Sequence, residues 1–368
     1  MQTDHNNQDK TTFKEAPILA IKGFIMGSAD IVPGVSGGTM ALILDIYERL
    51  LNAIKSVDVA FLKHFFTFKW KEAFTHLHVL FLVPLFLGIF AALAFFTKVV
   101  PLQVYMFTHP EIVFGLFFGL IVGSIYILIK TLEHFSIKEA GAILGGLLFG
   151  LWIVNLVPAD TPEHPLFVFV SGAIAICAMI LPGISGSYLL LIMRKYDYLL
   201  SNIGMIGGED TMDGIIGLIP FLLGAAVGLA LFSRFLSWLL KRYHSVTIAV
   251  LIGFLVGSLY VIWPFQHREF IEQVRDTEVV EVNDPVVTEL REHPNENLPE
   301  FERLGKQIDD SSIEVLTIKK KLIKSDPFIP GSYNATGDET PDILGGVIGM
   351  IVGVVLVGGL ERLRDIKV

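Results

Sequence analysis

Gly27–Leu51 reads GSADIVPGVSGGTMALILDIYERLL, and Cys177–Tyr196 reads CAMILPGISGSYLLLIMRKY. Both are apolar stretches interrupted by Pro-Gly, at Pro33-Gly34 and at Pro182-Gly183. Proline disfavours the α conformation in the residue before it, and glycine permits a reversal. In the first run, 18–50, the break leaves arms of roughly 15 residues, or ~22 Å of helix, too short to cross a ~30 Å hydrocarbon core. A re-entrant helical hairpin is therefore predicted for 18–50, and the same shape for 166–200.

Six further apolar runs, 79–97, 112–130, 140–158, 218–240, 246–264 and 342–360, are each long enough to span a bilayer as a helix. The composition agrees: 52% of the 368 residues are hydrophobic, 18% are charged, and mean hydropathy is +0.61. A single cysteine excludes a disulfide scaffold, and a net charge of −9 excludes a basic nucleic-acid footprint. Most of that charge lies in 265–341, which holds nine Lys/Arg against seventeen Asp/Glu.

Loop charges set the expected topology. The basic stretch Arg49–Lys71 and the tail with Lys10 and Lys14 both fall on the cytoplasmic side only if 18–50 enters and leaves on one face. Lys241, Arg242, Arg362, Arg364 and Lys367 then also fall inside, whereas Arg194 and Lys195 fall outside and run against the scheme. Both termini are expected in the cytoplasm, with the protein multi-pass in the inner (plasma) membrane.

The two halves repeat. Pro33–Gly37 recurs as Pro182–Gly186, and Pro84–Gly88 is answered by Pro220–Gly224. Gly119–Tyr126 is answered by Gly253–Tyr260, and Ile143–Gly146 by Ile343–Gly346, in the same order. One hairpin plus three crossings per half is an odd number of crossings, so the second half should be inverted. The expected fold is thus an all-α polytopic membrane protein of two inverted-topology repeats, with the site near the midplane at the repeat interface. The expected divisions are a cytoplasmic tail (1–16), a first repeat (17–158), a second repeat (166–264 plus 342–360), an acidic extracytoplasmic insertion (265–341) and a tail (361–368). The alternating run Ile313–Ile323 suggests a small folded cap within that insertion.

The tips carry the candidate chemistry. Ser36, Gly37, Gly38 and Thr39 at one, with Ser185, Gly186 and Ser187 at the other, offer unpaired amides and hydroxyls that suit an anion such as phosphate. The plainer alternative is a packing turn in which Ser and Thr cap the next helix. Gly34–Gly38 also matches the hydrolase G-x-S-x-G pattern, but no strand–turn–helix context accompanies it, and a duplicated tip suits binding better than a nucleophile. Asp30, an acid within a membrane segment, is either a proton or cation coupler or an acceptor for the tip. Arg234 and Lys98, at matched positions in the two halves, could each neutralise phosphate, with snorkelling to the interface the plainer reading of Lys98, and Glu48 and Arg49 form either a gate or an interfacial charge cluster. The histidines show no metal-ligand spacing, and no cofactor is expected.

Gly27–Leu51 together with Cys177–Tyr196 resembles the bacterial and archaeal PopT family of polyprenyl-phosphate transporters. The resemblance covers essentially the whole membrane body, and nothing is carried over to the insertion. It implies a non-enzymatic translocase that returns undecaprenyl phosphate from the outer to the cytoplasmic leaflet, with Asp30 and the two tips as the headgroup region. Proton or sodium coupling and homo-oligomerisation stay open. The alternative is an inverted-repeat secondary transporter for a small soluble anion or an ion.

Overall fold

A computed structural model describes residues 11–365 apart from 33–35, 133–134, 157–160, 209, 293–295, 297 and 331–339. Pro33 and Gly34, which define the first expected break, lie outside the described residues. The helices, in chain order, are α1 (Ala16–Asp30), α2 (Gly37–Ile43), α3 (Tyr47–Lys55), α4 (Val59–Phe66), α5 (Trp70–His76), α6 (Val79–Lys98), α7 (Leu102–Thr108) and α8 (Pro110–Thr131). There follow α9 (Ile137–Val154), α10 (Pro165–Ile180), α11 (Gly186–Ile192), α12 (Tyr196–Gly204), α13 (Thr211–Arg242) and α14 (His244–Ser258). The strand β1 (Gln266–Glu281), α15 (Pro285–Glu292), β2 (Glu300–Gln307), β3 (Ser312–Pro327) and α16 (Ile343–Asp365) complete the chain.

The expectation of an all-α protein is corrected by the insertion, which forms a three-stranded antiparallel sheet in the order β1-β3-β2. Its strand pairing neutralises the local charge: Glu269 lies opposite Lys324, Glu272 opposite Lys320, and Glu300 opposite Lys319. Phe301, Ile313, Val315, Ile318 and Val287 are buried beneath. The membrane part is helical, and among the described residues four helices (α6, α8, α9 and α13) are long and apolar enough to cross a bilayer. The run expected at 246–264 is shorter as a helix, because α14 ends at Ser258 and turns follow.

Contacts divide the chain into two compact units, one of Met1–Val99, Leu120–Ile262 and Gly353–Val368, the other of Val100–Gly119 and Trp263–Val352. Within the first unit, α1 packs on α6 and α10 packs on α13. Glycine permits both contacts. A Cβ on Gly23 would stand 2.0 Å from the Leu85 carbonyl oxygen, and one on Gly88 2.0 Å from that of Ala20. On the other pair, a Cβ on Gly172 would stand 2.3 Å from the Phe221 oxygen, and one on Gly224 1.8 Å from that of Phe169. These four positions correspond one to one under the sequence repeat. In the same unit α9 packs on α14, with Gly253 against the Ile143 carbonyl and Gly146 against that of Val250. In the second unit Gly115 lies against Gly346, and Gly119 against the Met350 carbonyl.

Candidate functional site

Each Pro-Gly-containing run folds as a long helix, a turn, and two short helices: 15, 7 and 9 residues in α1–α3, and 16, 7 and 9 in α10–α12. The segment after each turn is itself broken, which no Gly or Pro foretells. Asp45 (φ 56°) and Arg194 (φ 50°) adopt the left-handed conformation at equivalent positions. The hydrogen bonds agree: the Ile46 amide donates to the Ala41 carbonyl at 3.0 Å and the Lys195 amide to that of Leu190 at 2.9 Å. The carbonyls left open at the last turns are met by side chains. Lys22 Nζ donates to the Leu44 carbonyl at 2.9 Å, and the Thr161 hydroxyl donates to the carbonyl of Met193, the counterpart of Leu44.

The turns that precede α2 and α11 meet. Ser36 Oγ donates to the Met179 carbonyl at 3.4 Å, the Gly183 amide donates to Thr39 Oγ1 at 3.2 Å, and the Tyr47 hydroxyl donates to the Ile180 carbonyl at 3.1 Å. Gly38 sits where a Cβ would fall 2.8 Å from the Ile180 oxygen, and Gly183 (φ 79°) uses a conformation that side chains disfavour. Thr39 and Ser36 are buried by these contacts.

Beside this junction lies a cavity of about 300 Å³. Asp30, Ser36, Ser185, Gly186 and Ser187 supply its polar wall, and Ile184 with apolar residues of α10, α11 and α13 the remainder. Half-exposed Met179 and exposed Ser187 belong to that lining, so the cavity reaches the protein surface. The two turns differ in one respect that matters for charge. In the first, the Asp30 carboxylate accepts from the Gly37 amide at 2.5 Å, and Ser36 Oγ accepts from the Gly38 amide at 3.2 Å. In the second, the counterpart of Asp30 is Met179, and Ser185 Oγ accepts from the Tyr188 amide at 3.3 Å and lies 3.0 Å from Ser187 Oγ. One half of the junction therefore brings a carboxyl group of its own, and the other presents hydroxyls.

Of the residues singled out in the sequence, Asp30, Ser36, Ser185, Gly186 and Ser187 line the cavity, while Gly37, Gly38 and Thr39 build the junction behind it. Arg234, Arg49 and Glu48 lie elsewhere. The Arg234 guanidinium donates to the Ala230 carbonyl at 2.6 Å and to those of Lys55 and Val57, each at 3.4 Å, so it secures the chain leaving α3. Arg49 pairs with Glu15 at 3.2 Å and lies over the Phe81 ring, 4.6 Å from its centroid. Glu48 pairs with His244 at 3.3 Å rather than with Arg49. Lys22 and Tyr47 were not among the candidate site residues and Lys195 figured only as a loop charge, yet all three are buried. The signal for Lys22 was present, as an ionisable residue inside an apolar run.

Helices long and apolar enough to cross a bilayer, with two similar helix–turn–helix segments that meet beside a polar-walled cavity, mark a helical membrane protein. The family model described as VCA0040-like, undecaprenyl phosphate translocase-like, matches residues 26–280, and the chain belongs to that family. It is 41% identical over 246 residues to a protein of Vibrio cholerae named polyprenyl-phosphate transporter, an alignment covering 67% of this chain and 77% of that one. A protein of Staphylococcus aureus with the same name is 30% identical over 260 residues, covering 67% of this chain and 86% of its own. No solved structure matches the chain with significance.

Proposed function

We propose that this protein is a translocase for polyprenyl phosphate, a transporter rather than an enzyme, which holds the headgroup in the cavity beside Asp30, Ser36 and Ser185–Ser187. The observation that carries this reading is the convergence of both duplicated turns on one cavity that reaches the protein surface. A lipid monophosphate needs a polar notch for its headgroup and a side opening through which the long tail stays in lipid. The barrier to its crossing is desolvation of the charge, and the Ser185 and Ser187 hydroxyls supply donors against that cost.

In this reading the repeats have inverted topology, the broken runs are re-entrant, and the carrier moves undecaprenyl phosphate from the outer to the cytoplasmic leaflet of the inner membrane. Asp30 is the proposed coupling group. When it takes up a proton or a cation, the cavity loses a charge that repels phosphate, which ties headgroup entry to proton or sodium entry. The names of the two relatives support the substrate class.

The test is digestion of undecaprenyl phosphate in proteoliposomes by an impermeant phosphatase added outside. The wild-type protein should take digestion from about half of the lipid to nearly all. The double variant Ser36→Val/Ser185→Val should insert normally and leave digestion near half. Full digestion with that variant would defeat the cavity assignment. A null result with folded wild-type protein, repeated under an imposed ion gradient, would favour a carrier of small soluble anions.

A further inference from the structure

Between α3 and α6 the chain forms a compact helical hairpin, α4–α5, whose outer face is aromatic and exposed. Phe66 is 73% exposed and Phe68 76%, and Phe65, Trp70 and Phe74 are also open. Their rings touch one another instead of a core. Phe65 and Trp70 lie 4.9 Å apart, Phe68 and Trp70 5.8 Å, and Trp70 and Phe74 6.1 Å, so the five side chains form one continuous apolar surface. Lys63, Lys69 and Lys71 are exposed on the same hairpin.

The hairpin is built to hold that face. The Asp58 carboxylate caps α4 by accepting from the Phe61 amide at 2.9 Å, and it reaches across to His76 Nε2 on α5 at 3.0 Å. Partial burial alone would push the Asp58 carboxyl up, but the Phe61 amide and His76 hold it below its ordinary value. Phe68, in the connecting turn, adopts φ 56°, a conformation that favours glycine or asparagine. A phenylalanine there, 76% exposed, has the Trp70 ring for a neighbour and is otherwise open. Only two residues separate α5 from α6, one of the helices able to cross the bilayer, so the hairpin is tethered close to a membrane surface.

We propose that α4–α5 is an interfacial anchor that seats its aromatic face at the boundary between headgroups and acyl chains of an anionic bilayer, with Lys63, Lys69 and Lys71 gathering anionic headgroups around it. Aromatic rings favour that boundary because one layer accepts both their apolar faces and nearby polar groups. The lysines complement the negative charge of the lipid surface, and a neutral protein partner would not account for them.

The test uses the full chain in vesicles, with W152F, W238F and W263F leaving Trp70 as the reporter. Lipids brominated on the acyl chain are supplied as phosphatidylcholine or as phosphatidylglycerol at equal mole fraction. The anchor requires quenching by both, and at least about twofold stronger quenching by the phosphatidylglycerol. K63Q/K69Q/K71Q should abolish that preference and retain the quenching. Trp70 emission unquenched by either lipid would overturn the proposal and point to water or a protein partner. Equal quenching would overturn its anionic part. Should the reporter chain fail to fold, C177S/F66C labelled with an environment-sensitive dye reads the same face, with a blue-shifted emission shielded from iodide expected and a water-like emission overturning.

Discussion

Asp30 and Met179 occupy equivalent positions in the two halves, and this one exchange breaks the symmetry of the junction. An amide at a helix start needs an acceptor. Gly37 finds one in Asp30, seven residues earlier in the chain, which places the carboxylate both on the turn and in the cavity wall. Asp30→Asn keeps an acceptor oxygen but removes the charge. We expect it to cost about 1 kcal/mol of stability, to preserve membrane insertion, and to flatten the dependence of lipid-phosphate transport on pH or sodium. Proteoliposome transport measured across pH and with sodium replaced checks this, and an unchanged profile would leave Asp30 as a structural acceptor only. The acid itself was legible as a charge in an apolar run, but its partner was not, because that bond depends on how the intervening turn closes. Arg234 shows the converse. Its residue type suits phosphate, yet where a guanidinium is used depends on which carbonyls the fold leaves without donors, and here those follow α3.

Helix pairing follows the glycines. Gly23 and Gly88 let α1 and α6 approach until backbone meets backbone, and Gly172 and Gly224 do the same for α10 and α13. Gly88→Ala and Gly224→Ala should each lower stability by about 1–3 kcal/mol, because the added Cβ would overlap a carbonyl that belongs to a helix and cannot turn aside. Gly145→Ala is the control, since nothing lies within 4 Å of a Cβ there, and it should be neutral or slightly stabilising. Thermal unfolding in detergent, followed by loss of the monodisperse species, distinguishes the three. The repeated Pro84–Gly88 and Pro220–Gly224 segments were readable as a duplication. The kinks at Asp45 and Arg194 were not, since arginine does not favour a left-handed backbone and only the fit of the segment after each turn imposes it.

At the scale of the molecule, the described residues that line the cavity all fall within 30–225, and none of them belongs to the β insertion. The insertion is also closed at its base: Gln266 pairs with Pro327, the Trp263 indole donates to the Phe328 carbonyl at 2.9 Å, and the Phe328 amide donates to that of Phe265 at 2.9 Å. Its ends are thus neighbours, and residues 267–326 can be replaced by an Asn-Gly turn. The shortened protein should accumulate in membranes and move lipid phosphate within about twofold of the full chain, as the phosphatase-accessibility measurement would read it. The sheet itself was only partly foreseeable, because a strongly acidic segment folds here through lysines of β3 that lie some fifty residues beyond the acids of β1. What the amino-acid sequence determined unaided was the membrane character and the order of the repeated segments, since hydropathy and repeat order are local properties. Only the tertiary structure decided that the two turns touch, that Asp30 answers Gly37, and that Arg234 works elsewhere. Those outcomes depend on which unsatisfied carbonyls and amides come within about 3 Å of one another, and residues far apart in the chain meet there only once the helices have packed.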